Sequence, residues 1–237
     1  MSLPQHGLSI VRQACGQALI EVLLMMPLLL FVVLAIIQLI GLSWAQQHLQ
    51  LATMSAARAG SLAHGQQRVM ERTLVGQMAL LNSWQRLWSR QTATQWLQRQ
   101  LALQTLHFQR AAELQRITPD RTQLETFKQW RYAPDQDRWL WEVPIDQLTA
   151  RLALLQSTDA DTQQRWLAAR QLHIQVRWCL PLRVPVVNQL LAKLSLLSNV
   201  SGQSACRLAA ESMAVPLMAL TASAGFAMES GFREGIN

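Results

Sequence analysis

The chain has little lysine and few cysteines, and its basic residues do not cluster. Only Lys128 and Lys193 among its 21 basic residues are lysines, so the net charge of +7 rests on scattered arginines. A nucleic-acid-binding surface usually appears in a sequence as a basic run. No such run occurs, and we expect no nucleic-acid partner. The diffuse positive charge is consistent with anionic lipid headgroups, with an acidic partner or with plain solubility.

Motifs of common enzymes and cofactor sites are also missing. The sequence contains no G-x-S-x-G element, no P-loop and no dinucleotide fingerprint. The five histidines fall into no metal-ligand spacing with the three cysteines: His6, His48, His64, His107 and His173. We therefore expect no metal, no cofactor and no enzymatic activity. A catalytic triad assembled from distant residues leaves no such motif, so an enzyme is disfavoured rather than eliminated.

What the sequence does contain is one long apolar run, from Val22 to Leu42. The run is interrupted only by Pro27, Gln38 and Gly41. As a helix it would extend about 31 Å, enough to cross the hydrocarbon core of a bilayer. It is too long for the apolar region of a secretory signal peptide. Cys15 precedes the run, whereas a lipoprotein cysteine would follow it. We predict a membrane-spanning helix.

Glu21 stands at the start of this helix, where an ionised carboxylate is costly without a cation. If the chain were cut after Gly16, Gln17 would carry a new amino group one helical turn before Glu21. In a stacked array, the carboxylate of one subunit would meet the amine of its neighbour. The alternative is that Glu21 extends to the membrane surface of an ordinary, uncleaved signal anchor.

The segment from Gly16 to Glu21 resembles the class III signal of type IV pilins and pseudopilins, with a glycine at the cut and a glutamate at the fifth mature position. The first sixty residues are similar, more narrowly, to the TadE family of pseudopilins from tight-adherence (Tad, Flp-type) pilus systems. That family has a G-x-A-x-x-E start, an early L-P-L-L-L and an A-A-R-x-G ending. The matching residues here are Gly16, Ala18, Glu21, Pro27, Leu28 to Leu30, Ala56, Ala57, Arg58 and Gly60.

The resemblance implies an organisation in three parts. Residues 1–16 would be a cytoplasmic leader, removed between Gly16 and Gln17 by a prepilin peptidase. Residues 17–62 would form the membrane helix and its amphipathic extension, and residues 63–237 a periplasmic α+β domain. The protein would be a minor pseudopilin of the bacterial inner membrane that takes part in Tad-type pilus assembly, adhesion and biofilm formation. Its partners would be other pilins and pseudopilins and the inner-membrane assembly platform, and Glu21 would set the register.

Two other functions remain as alternatives. One is an uncleaved single-pass adaptor or structural protein whose outer domain binds an envelope partner. The other is a membrane-anchored periplasmic enzyme or binding protein, which would show a polar pocket with convergent titratable groups.

The spacing of apolar residues predicts helices in the first half of the outer region. The first helix continues to about Leu62 with Leu49, Ala52, Ala56 and Ala59 on one stripe. Residues 66–117 are predicted to form one or two amphipathic helices, in which residues recur at three- and four-residue spacing: Leu74, Met78, Leu81, Trp84 or Gln85 and Trp88, and then Leu97, Leu101, Gln104 and Phe108. We expect the tryptophans and His107 to pack in the core.

The aromatic segment from Phe127 to Val143 contains a turn at Pro134 to Asp137 and predicts a β-hairpin. Its tryptophans and its tyrosine are predicted to alternate on the two faces and to serve the core, with an exposed contact or adhesive surface as the alternative: Trp130, Tyr132, Trp139 and Trp141. Two helices are predicted to follow, over 145–156 and from about 157 to 170.

Strict alternation predicts a strand from Leu172 to Leu180. We expect an apolar helix or loop over 186–197 and a returning strand over 204–215, giving a small antiparallel sheet. Cleavage after Gly16 would remove Cys15 and leave Cys179 and Cys206 in an oxidising compartment, where strand pairing would bring them together as a disulfide. Two buried free thiols are the alternative.

Overall fold

The computed structural model describes residues 11–81, 83, 90–155, 160–182 and 202–233. The predicted core anchors Trp84 and Trp88 and the predicted apolar element over 186–197 lie outside these residues. The helices are α1 (Val11–Leu62), α2 (Gln67–Ala79), α3 (Ala93–Ala111), α4 (Arg121–Phe127), α5 (Leu148–Leu155), α6 (Ala160–Ala169) and α7 (Gln203–Met213). The strands are β1 (Ala112–Thr118), β2 (Gln129–Ala133), β3 (Arg138–Val143), β4 (Gln171–Pro181), β5 (Leu217–Ala227) and β6 (Phe232–Arg233).

This architecture confirms the α+β class with a long N-terminal helix, but it holds two small antiparallel sheets instead of one. The first has the order β1-β4-β5, and the second has the order β2-β3-β6. The first sheet, with α1 packed on it and α2 packed on α1, carries most of the hydrophobic core.

β4 is the central strand of the first sheet and confirms the strand predicted from its alternation. Leu172, Ile174, Val176 and Trp178 are at most 1% exposed. The residues that alternate with them, His173, Gln175 and Arg177, are half-buried. β4 pairs with β5 along its whole length, from Gln171 opposite Ala227 to Pro181 opposite Leu217. Because one face is fully buried, a shift of the register by one residue would expose the core side chains.

Two predictions in this region are wrong. The end of the segment predicted as helix, Ala112–Thr118, is strand β1, which pairs with β4 and adds an ion pair between Glu113 and Arg177. The predicted strand over 204–215 is mostly helix α7, which buries Cys206 and Ala209 one turn apart. The strand that returns beside β4 is β5, further along the chain.

The hairpin of β2 and β3 was predicted correctly, but the placement of its aromatic side chains was not. Trp130 lies opposite Trp141 and Tyr132 lies opposite Trp139, so all four share one face instead of alternating. Their exposed fractions are 48–57%, which contradicts a core role. They pack on one another edge to face, with ring centroids 5.2 and 5.9 Å apart. Val143 and Phe232 supply the buried contacts of this sheet instead.

Candidate functional site

α1 changes its surroundings at Leu42. Most of the large apolar side chains between Ile20 and Ile40 are 43–72% exposed. In the described part of the chain, α1 is the single helix that is long and apolar enough to cross a membrane. From Leu42 onward one face of the same helix is buried against the domain. A continuous helix therefore joins an apolar segment that is largely exposed to a segment that belongs to the protein core.

The buried face of α1 consists mainly of small residues at helical spacing. Ala45, Leu49, Ala52 and Ala56 are at most 3% exposed and pack against α2, β4 and β5. These contacts confirm most of the predicted stripe, whose last member, Ala59, is only half-buried. Alanine lets the helix axis lie close to the sheet and to α2.

Polar side chains of α1 fix its position on the domain. Gln46 Nε2 donates to the carbonyl of Thr221 at 2.7 Å, and Gln50 Nε2 donates to that of Ser223 at 2.8 Å. Both carbonyls belong to β5, an edge strand, so the glutamines satisfy backbone groups at the edge of the sheet. On the neighbouring face, His48 Nε2 donates to the carbonyl of Gln77 at 2.8 Å. These bonds set both the rotation and the axial position of α1.

Gly60 lies where α1 approaches its neighbours most closely. A Cβ atom added there would lie 2.6 Å from Sδ of Met70 and 2.8 Å from Cδ2 of Leu172. Both neighbours are at most 1% exposed. The glycine that ends the A-A-R-x-G pattern is therefore required by packing, a reason that the sequence alone does not reveal.

The predicted processing site lies in the first part of α1. Gly16 and Gln17 are helical, although the structure does not describe the side chains of residues 11–19. Glu21 follows Gln17 by one turn of the same helix, and its side chain is exposed. Within the described part of the chain, Glu21 forms no ion pair. Pro27 lies inside α1 without ending it, although it lacks the N–H that would bond the preceding turn.

Cys179 and Cys206 form a disulfide, with their Cα atoms 5.4 Å apart. The predicted partners are correct and the predicted route is not, because Cys206 reaches β4 from helix α7. Both residues are at most 1% exposed and pack with Ala111, Ala209 and Leu217. The disulfide links α7 to the central strand beside the C-terminal end of α3.

His107 is placed by α3 over the same end of β4, where it is half-buried and not, as predicted, part of the core. Its ring lies 5.2 Å from that of Trp178, and its Nε2 donates to the carbonyl of Cys179 at 2.8 Å. Burial lowers the pKa of His107 below its ordinary value, and the hydrogen bond to Cys179 opposes this effect only in part.

Arg233 forms a buried ionic contact that the sequence does not indicate. Its side chain is 6% exposed and donates to the carboxylates of Glu142 and Asp135, at 2.6 Å in each case. The Arg233 guanidinium holds the pKa of Asp135 below its ordinary value. The contact joins β6 to the hairpin. Because Arg233 lies far from both carboxylates in sequence, no local pattern predicts it.

The described residues contain no group of three or more histidine, cysteine, aspartate or glutamate side chains arranged to hold a metal ion. Residues 16–58 of the chain match the model of the TadE-like protein family. This match covers α1 from the predicted cleavage site to Arg58, two residues before Gly60. The matched segment is under a fifth of the chain. No curated protein and no solved structure matched the chain.

Proposed function

Because residues 16–58 match the model of the TadE-like protein family, we propose that the chain belongs to this family and acts as a minor pseudopilin in the assembly of a Tad-type pilus. The protein is made with a cytoplasmic leader and is held in the bacterial inner membrane by residues 22–42. A prepilin peptidase cuts it between Gly16 and Gln17. The domain lies in the periplasm, and the role is structural rather than enzymatic.

The observation that carries this proposal is the division of α1 into two halves. The first half exposes most of its large apolar side chains, and the second is seated on an antiparallel sheet. A subunit built in this way can leave the bilayer when the apolar half exchanges lipid contacts for contacts with the helices of other pilins and pseudopilins. The inner-membrane assembly platform would drive this step, and the fibre would support adhesion and biofilm formation.

Glu21 has a defined part in this proposal. Its carboxylate forms no ion pair with any side chain that the structure describes. The N-terminal amine of a neighbouring processed subunit would supply that charge and would fix the axial register. The Cys179–Cys206 disulfide supports the periplasmic placement, because disulfides persist in oxidising compartments.

The decisive experiment is the N-terminal sequence and intact mass of the protein purified from its native membrane. We expect a start at Gln17 in the wild type and a start at Met1 when Gly16 is replaced by leucine. A wild-type start at Met1 would refute processing. As a second test, Glu21→Ala should leave membrane insertion intact and reduce piliation. A matched Glu71→Ala variant, at a half-buried position of α2 outside α1, should be piliated normally.

A second candidate is an uncleaved membrane adaptor with a periplasmic binding domain. The exposed aromatic face of Trp130, Tyr132, Trp139 and Trp141 favours it, because large aromatic side chains are typical of contact surfaces. The same N-terminal analysis separates the two functions, since an adaptor would keep its leader.

A further inference from the structure

A groove of about 1100 Å³ lies between α1 and α3 at one end of the domain. Gly41 and Trp44 belong to its α1 wall, Trp96 and Leu103 to its α3 wall, and Pro181 lies at the end of β4. The groove is distinct from the aromatic hairpin face and from the seat of α1 on β5.

The groove lies at the level where α1 leaves the apolar span. Gln46 binds Thr221 and Gln50 binds Ser223, so α1 and β5 run in the same direction. The antiparallel strand β4 therefore ends at Pro181 on the side nearest the membrane. Trp44 is 62% exposed, and tryptophan is enriched where membrane helices meet the headgroups. The groove thus opens at headgroup depth.

The charge of the groove has one sign. Its described lining includes Arg90, Arg99 and Arg110 and no aspartate or glutamate. All three arginines are exposed, and among the described residues none of them forms an ion pair. The sequence from residue 72 to 112 contains no carboxylate at all. A cationic surface at this depth faces the phosphates of the bilayer.

Apolar side chains lie between the arginines. Leu103 and Leu106 line the groove from α3 and are 49% and 50% exposed, and Ile37 lines it from α1. Arg99 and Arg110 stand about 16 Å apart along α3, three turns from each other, with the leucines between them. The groove therefore offers guanidinium donors beside an apolar surface continuous with the exposed span of α1.

We propose that this groove binds the headgroup of an anionic phospholipid from the outer leaflet of the inner membrane. One of the guanidinium groups of Arg90, Arg99 and Arg110 contacts the phosphate, as arginine does at phosphate sites generally, and the other two attract it by their charge. The acyl chains follow Leu103, Leu106 and the apolar face of α1. The proposal requires that α1 spans the membrane with the domain on the periplasmic side, a placement that it takes from the proposed function. It requires neither cleavage after Gly16 nor a pilus.

The first test is native mass spectrometry of the full-length protein in a nonionic detergent, titrated with phosphatidylglycerol or with phosphatidylcholine. The wild type should retain one phosphatidylglycerol in preference to phosphatidylcholine. Removing two basic groups near an anionic surface should weaken binding about 30-fold, so Arg99→Gln/Arg110→Gln should lose this preference. The control is Arg68→Gln/Arg121→Gln, which removes two exposed charges outside the groove and should bind like the wild type.

The second test blocks the groove without changing its charge. A Cβ atom at Gly41 meets no heavy atom within 4 Å, so the side chain of Gly41→Leu would enter open space. This variant should bind phosphatidylglycerol at least tenfold more weakly and should keep the unfolding temperature of the wild type, because a residue at an open, exposed helix position perturbs folding little.

Three results would overturn the proposal. Equal losses in the two arginine pairs would indicate general surface attraction instead of a site. Wild-type binding by Gly41→Leu would show that the groove is not used. Displacement of phosphatidylglycerol by an equal concentration of soluble glycerol phosphate would identify a soluble phosphate ester as the ligand. Each result stands whether or not the protein is processed after Gly16, so this test and that of the pseudopilin function fail independently.

Discussion

Gly60 gives the sharpest test of how α1 is seated. In Gly60→Ala the new Cβ would lie about 0.6 to 0.8 Å inside ordinary contact distance of both Met70 and Leu172. These side chains are buried on every side and have little room to move. Overpacking of this kind costs about 1–3 kcal/mol, while alanine gains at most about 1 kcal/mol of helix propensity over glycine. We expect a net loss of about 1 kcal/mol.

Gly76 provides the matched control, because it lies inside α2 and a Cβ there meets no heavy atom within 4 Å. Gly76→Ala should stabilise the protein by about 0.5–1 kcal/mol. The assay is denaturant unfolding of the full chain in detergent, followed by near-ultraviolet circular dichroism, which reports the packed domain and not the membrane helix. If Gly60→Ala proved as stable as Gly76→Ala, the close approach of α1 to β4 would be refuted.

Three further predictions concern the domain. Cys179→Ala/Cys206→Ala opens a disulfide between residues 27 positions apart and should lower the free energy of unfolding by about 3 kcal/mol, an effect that reductant should reproduce in the wild type and not in the variant. The pKa of His107 is lowered in the folded state. At a pH below its ordinary pKa of 6.5, this histidine therefore binds more protons in the unfolded chain than in the folded one. Stability should therefore fall as the pH drops below about 6.5, and His107→Gln should flatten this slope; parallel pH profiles would contradict the assignment. Trp139→Ala, at an exposed position, should change stability by under about 0.5 kcal/mol, whereas Trp178→Ala should cost about 3–5 kcal/mol in the same unfolding assay.

The parts of the fold that the sequence predicts well are those with a strong local pattern. α1 is recognisable because apolar residues continue for longer than a bilayer requires and then give way to a helical stripe. β4 is recognisable because Leu172, Ile174, Val176 and Trp178 alternate without interruption. The hairpin is recognisable from the turn at Pro134 to Asp137. In each case the order of apolar and polar residues along the segment identifies the element, and no contact with a residue far away in the sequence is needed to predict it.

The wrong predictions fall where distant contacts decide the structure. Ala112–Thr118 follows a helical segment with no breaker between them, and only pairing with β4 makes it a strand. In 203–213 the intrinsic propensities of alanine, leucine, arginine, glutamate and methionine favour a helix, and the strand was predicted there because Cys206 was expected to pair with Cys179 across two strands. The aromatic face of the hairpin carries an apolar pattern, yet no described element covers it. Periodicity reveals which side chains share a face and not what lies opposite that face.

The same limit applies to the candidate site. Glu21 and Gly16 are visible in the sequence because their chemistry is out of place in an apolar helix. The groove is not visible, because its arginines on α3 are ordinary exposed residues until the fold places them beside Gly41 and Trp44. The sequence indicates the groove only through residues 72–112, which include basic side chains and no carboxylate. The meaning of this pattern depends on the depth at which α3 stands relative to the membrane, and depth is a property of the packed domain.

The seat of α1 also bears on where the folding unit of the domain begins. Ala45, Leu49, Ala52 and Ala56 supply one wall of the main core, and Gln46 and Gln50 satisfy the edge of β5. A domain without residues 42–62 would expose the apolar surface that α1 covers and would leave the two β5 carbonyls without their hydrogen-bond donors. Both changes would lower the free energy of unfolding. The apolar half of α1 and the sheet are therefore joined by one continuous helix, and a force applied to that half would act on the sheet through it.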